Sequence, residues 1–152
     1  MPVRIASLIL AACMLSGCAL FGPNVPHANI RMQSAKYLNP DINGTPSPIV
    51  VTIYELKNQF SFTQASYDAL ATNSASVLGS DLIDQQTIEV RPNSYQSVTQ
   101  TLSPNTKYLG IVAAYRNIDQ STWHTTVPVN ANTSSMTINL SLESQGLTVT
   151  TH

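Results

Sequence analysis

Beyond residue 18 the chain has no cysteine; its two cysteines are Cys13 and Cys18. No disulfide can brace the later residues, and no thiolate can hold a metal there. Charge is scarce as well. Asp, Glu, Lys and Arg make up 10% of the chain, against ~25% in an average protein. With Arg4 set aside, six basic residues face eight acidic ones, which excludes the basic patch of a nucleic-acid binder. Histidine occurs only as His27, His124 and His152, with no pair at metal-ligand spacing. No metal, cofactor or small-molecule substrate is expected. The carboxylates are scattered and no serine sits in a Gly-x-Ser-x-Gly elbow, so no enzymatic activity is expected either. Neutral Ser, Thr, Asn and Gln fill the place of charge, as in an exported β protein.

What is present begins at the N-terminus. Arg4 precedes a weakly polar to apolar run from Ile5 to Ser16. That run falls short of the ~20 residues needed to cross a bilayer. A basic end, a short apolar run and small residues before a cleavage point form an export signal. Leu15-Ser16-Gly17-Cys18 resembles the bacterial lipobox, in which the cysteine is acylated and becomes the first residue. The alternative is an ordinary signal peptide with a chance cysteine. Under the lipobox reading, residues 1–17 are a lipoprotein signal and Cys18 is the lipidation site. Ala19, where Asp would retain a Gram-negative lipoprotein, implies sorting to the outer membrane on its periplasmic side. One acyl chain anchors only marginally; the three of this lipoprotein pattern anchor permanently.

Residues 18–28, with Pro23 and Pro26, are expected to form an extended tether. Residues 29–152 then form one domain, large enough for a core of its own. Alternating apolar residues predict strands near 29–38, 49–57, 87–91, 95–102, 107–117, 122–129, 136–142 and 146–151. The slip of alternation between Met32 and Tyr37 predicts a bulge or an edge position in the first strand. Apolar residues on both faces place 49–57 and 107–117 centrally, and Pro128 places 122–129 at an edge. Between the second and third strands the period becomes helical. Phe62, Tyr67, Leu70 and Ala71 predict a helix over about 62–71, with Ser61 and Gln64 as a capping box. A second turn or helix near 75–78 closes at Gly79, giving a helical insertion over about 61–80. About eight strands with short turns make an all-β, two-sheet sandwich.

One connection is too long for a hairpin. Asn39-Pro40-Asp41-Ile42-Asn43-Gly44-Thr45-Pro46-Ser47-Pro48 is rich in Pro and Asx, and holds an apolar residue, Ile42, with no obvious core to enter. Loops on rigid scaffolds commonly carry function; a solvated connection is the alternative. Trp123 and His124 are read as one core residue beside one solvent-facing residue, and Tyr108 and Tyr115 as rims of the core.

Taken in order, these segments resemble a known family. They are the lipobox, Leu-Asn-Pro-Asp at 38–41, Pro-Ser-Pro-Ile-Val-Val-Thr-Ile-Tyr-Glu-Leu-Lys at 46–57, Phe-Thr-Gln-Ala-Ser-Tyr-Asp-Ala-Leu at 62–70, Leu-Gly-Ser-Asp-Leu at 78–82 and Tyr-Leu-Gly-Ile-Val-Ala-Ala-Tyr-Arg-Asn-Ile at 108–118, with Trp123. The order and spacing are similar to those of TssJ (SciN), the outer-membrane lipoproteins of the type VI secretion system. The resemblance implies a transthyretin-like sandwich with a small helical insertion. It implies a structural role in the secretion membrane complex, binding the periplasmic C-terminal region of the inner-membrane protein TssM, which assembles with TssL. The family's contact loop corresponds to Asn39, Pro40, Asp41, Ile42, Asn43, Gly44, Thr45 and Pro46. The competing reading is a periplasmic module for a small ligand or carbohydrate, with a pocket near Trp123. A transthyretin-like hydrolase fits less well: that family ends in Tyr-Arg-Gly-Ser, this chain in Val-Thr-Thr-His.

Overall fold

The computed structural model describes residues 25–130 and 132–152. The signal and Cys18 lie outside the described residues, as does most of the tether. Among the described residues, eight strands form two four-stranded sheets. The first has the order β4-β1-β7-β8, from β1 (His27–Ser34), β4 (Tyr95–Thr101), β7 (Ser135–Leu142) and β8 (Leu147–Thr151). The second has the order β3-β2-β5-β6, from β2 (Ile49–Leu56), β3 (Leu82–Val90), β5 (Tyr108–Ala113) and β6 (His124–Pro128). The expected all-β sandwich is thus present, with β2 and β5 central and β6 at an edge.

Alternation builds the core. Ala28, Ile30 and Met32 of β1 and Ile138, Leu140 and Leu142 of β7 face Val51 and Ile53 of β2 and Leu109 and Ile111 of β5, all buried. The outer face of β2 and β5 holds a second apolar set, Tyr54, Leu56 and Val112. This is why these two strands read as apolar on both sides. Two helices cover that face: α1 (Phe60–Gln64) and α2 (Tyr67–Leu78), which supply Phe62, Leu70 and Leu78. The Phe62 ring lies against β5 where residue 110 is glycine. A Cβ there would meet the ring at 2.7 Å, so the close approach requires Gly110.

Three expectations need correction. β1 begins at His27, inside the expected tether, and is central rather than at an edge. It pairs antiparallel with β4 and parallel with β7. The slip near Tyr37 is no bulge; the strand ends at Ser34, and Leu38 is buried from the following turn while Tyr37 is exposed. The helical stretch breaks between Gln64 and Tyr67 into α1 and α2, and the break expected after residue 71 appears within α2 as non-helical backbone at Asn73, at φ −151° and ψ 48°. α1 has no side-chain cap, and the capping serine is Ser66, whose hydroxyl accepts from the Ala69 N–H at 3.3 Å. Gly79 does close α2, at φ 53°. Trp123 and His124 do not alternate between core and solvent. Both are half-buried, and their rings stack with centroids 3.9 Å apart.

The sheets are tied together by one buried carboxylate. Glu55 of β2 points inward and is 2% exposed. It accepts from Gln100 Nε2 of β4 at 2.6 Å, Thr106 Oγ1 at 2.7 Å and the Ser103 N–H at 3.0 Å. A buried carboxylate is tolerable only with such a complement of donors.

Candidate partner-binding site

The 39–46 loop follows β1 at the end away from His27. Eight residues of strand at ~3.3 Å each put about 26 Å between that end and the point where the chain comes in. The turns 91–94 and 143–146 lie at the same end. They are tied to it by Ser34 Oγ donating to the Arg91 carbonyl at 2.6 Å and by the Ala35 N–H donating to the Leu142 carbonyl at 2.8 Å.

Asn39 clips the loop at its base. It is 4% exposed and adopts φ 44°, a left-handed conformation that asparagine tolerates better than most residues. Its Nδ2 donates to the Pro48 carbonyl at 3.0 Å, closing the loop across its base. Its Oδ1 accepts from the Arg116 N–H at 2.8 Å, fastening that base to the segment after β5. The Ser47 N–H donates to the Leu38 carbonyl at 3.0 Å and completes the closure.

Asp41 organises the tip. Its Oδ1 accepts from the Asn43 and Thr45 N–H groups, each at 2.8 Å. Its own N–H donates to the Thr45 carbonyl, and its carbonyl accepts from the Gly44 N–H, both at 2.9 Å. This is the side-chain-to-backbone turn chemistry that makes Asx residues loop formers. Gly44 supplies the positive φ of 78° that the turn needs. The Thr45 and then the Asn43 amide, with the Arg116 cation nearby, hold the Asp41 carboxyl below the usual carboxylate range.

The result is a stiff tip carrying one apolar side chain outward. Ile42 is 100% exposed; Asn43, Gly44 and Thr45 are exposed beside it, and Pro40 and Pro46 are half-buried flanks. Behind the tip lies a depression of about 330 Å³, whose lining includes Asn39, Asp41, Ile42, Tyr115, Arg116 and Gln145. Arg116 and Gln145 were not among the expected site residues. Nothing in the sequence joins 39–46 to 115–121 and 144–145, which meet only in the folded chain. Tyr115, expected at a rim, is 4% exposed, and burial pushes its hydroxyl well above its ordinary pKa.

Trp123 lines a separate depression of about 400 Å³ with Tyr67, Asp68 and Asp119. Its ring is taken up internally, edge-to-face with Tyr67 at 5.6 Å and stacked on His124. Burial also lowers the His124 pKa, which keeps the imidazole of that stack neutral to a pH below its ordinary value.

Fold and loop together define a class: β-sandwich proteins that present a preformed surface at one end. Residues 26–145 match the family described as type VI secretion lipoprotein, VasD, EvfM, TssJ. The chain belongs to that family, the lipoproteins of the type VI secretion system. It is 32% identical to the type VI lipoprotein TssJ1 of Pseudomonas aeruginosa, with a TM-score of 0.81 over 84% of this chain and 97% of that one. A chain in a structure described as a type VI membrane complex is 25% identical, with a TM-score of 0.73 over 83% and 98% of the two chains. A chain in a structure described as the TssM C-terminal domain from EAEC is also 25% identical, with a TM-score of 0.66 over 82% and 97%. No curated protein matches the sequence.

Proposed function

We propose that this chain is the outer-membrane anchor of a type VI secretion membrane complex, and that it grips the periplasmic C-terminal region of TssM with the 39–46 loop. In this reading residues 1–17 direct export, and Cys18 carries the lipid. A short tether leads into the sandwich of 29–152, whose first strand reaches back to His27. The role is mechanical. Lipid holds one end of the domain at the membrane, and the loop at the other end holds the partner.

The family and the TssM C-terminal domain structure among the similar ones support the partner. The observation that carries the site is Ile42, wholly exposed on a loop braced by its own hydrogen bonds. An apolar side chain kept in water on a preordered support has already met the ordering cost of binding. Anchors of this kind dominate interfaces.

The test replaces residues 40–45 with a Gly-Ser linker in the full chain. Capture of the TssM periplasmic region should be lost while the melting temperature holds, because these residues lie outside the core. Capture at undiminished affinity would remove the loop from the interface.

A further inference from the structure

We infer that the depression behind the loop is a receptor for a carboxylate side chain of the partner, with Arg116 and the Tyr115 hydroxyl as its donors. The inference rests on the loop being the partner-binding element, and adds the chemistry that the partner must bring.

The argument is one of elimination among the polar groups of the depression. Both ends of the Asn39 amide are engaged by backbone. Asp41 Oδ1 is engaged by two amides of its own loop. Asn117 Nδ2 donates to Gln120 Oε1 at 3.0 Å, and Ser121 Oγ donates to the Asn117 carbonyl. Two donors remain. The Arg116 guanidinium is exposed and takes part in no ion pair among the described residues, where Arg91–Glu89 at 4.0 Å is the pair formed. The Tyr115 hydroxyl is buried, and although the Gly146 and Glu143 backbone lies near it, it makes no well-formed hydrogen bond.

An orphaned buried hydroxyl is unusual and calls for an explanation. Here the tyrosine lines an open depression rather than a sealed void. The guanidinium offers only protons and the hydroxyl has one to give as well, so an acceptor bearing negative charge complements both. A carboxylate has two oxygens, which suit a guanidinium fork and leave a lone pair for the phenol. Asp41 offsets part of the Arg116 charge, but its Oδ1 is committed to the loop's own amides. The apolar Ile42 at the lip fits a side chain whose stem is hydrocarbon and whose head is charged. An Asp or Glu of the partner, inserted behind Ile42, meets all of these conditions.

The experiment measures affinity of the full chain in detergent for the TssM periplasmic region, by calorimetry at two ionic strengths. Arg116→Glu should weaken binding by about tenfold or more, as truncation or reversal at an interfacial charge pair does. Arg116→Ala should weaken it less and flatten the salt dependence, and Arg116→Lys should recover part of the loss. Tyr115→Phe should cost about severalfold through the lost hydrogen bond. Converting the partner's interfacial Asp or Glu to Lys should restore binding to Arg116→Glu. Should Tyr115→Phe fail to fold, the exposed Arg116 variants decide alone. Full affinity in every Arg116 variant, together with loss in Ile42→Ser, would overturn the receptor and leave the loop in place. Full affinity in Ile42→Ser as well would remove the loop itself.

Discussion

The two long connections of the sandwich, 35–48 and 57–81, make opposite use of their apolar residues. The second folds into α1 and α2 and sends Phe62, Leu70 and Leu78 into a core of their own against β2 and β5. The first forms no helix or strand. It buries only Leu38 and Asn39 at its base and Ser47 at its close, and holds Ile42 wholly in solvent. The difference lies in what satisfies the backbone. In 57–81 helical hydrogen bonds do so, and apolar side chains are free to pack. In 35–48 the prolines bar helix, and side chains such as Asn39 and Asp41 take the backbone groups instead. One connection is ordered by burial and the other by polar clips, so changes to each should read out in different experiments.

The largest expected effect is on the buried connection. Phe62→Ala empties the space beneath α1 and should lower stability by about 3–5 kcal/mol, seen as a fall in the thermal midpoint. Partner affinity below that midpoint should not change. A loss of affinity in the folded variant would show that the two connections are coupled.

A smaller effect falls on the clip. Asn39→Ala leaves the Pro48 carbonyl and the Arg116 N–H without their partners and sets alanine at φ 44°. A cost of about 1–3 kcal/mol is expected. Unlike Phe62→Ala, this change should also weaken partner binding, because it frees the base of the loop. Stability lost without affinity would mean that the tip keeps its shape unaided.

The smallest effect is a titration. The Asp41 carboxyl is held below its ordinary pKa by loop amides. A depressed folded-state pKa gives stability that is present above the unfolded value, near 3.8, and lost as pH falls through the folded one. The amide resonances of Asn43 and Thr45 should therefore shift at a pH below that of a free aspartate. Titration at the free-aspartate pKa would show that the loop is not braced through this side chain.

Much of this was legible in the sequence because it is local. Alternation marked β2, β5 and β7, and Pro128 marked an edge. The composition of 39–48 marked a loop. What escaped is non-local. The slip of alternation after Met32 suggested a bulge or an edge in β1, but it marks the strand's end at Ser34, and the parallel partner β7 that makes β1 central lies far along the chain. Ser61 and Gln64 have the spacing of a capping box, but Phe62 is drawn beneath α1 against Gly110, and Ser66 begins the longer helix. Asn39 was expected as a contact, but its role as a clip was not. Its clip is formed with a backbone amide 77 residues away, which no local pattern reveals. The depression behind Ile42 belongs to the same class, assembled from three distant segments.

The placement of β1 fixes how the molecule bears load. A pull between the incoming chain at His27 and the loop beyond Ser34 runs along β1 itself. That strand is laced on one flank to β4 and on the other to β7 along its length. Tension then shears two ladders at once instead of peeling them open bond by bond. If the 39–46 loop holds the partner, a pull on the complex loads the domain in this shear geometry.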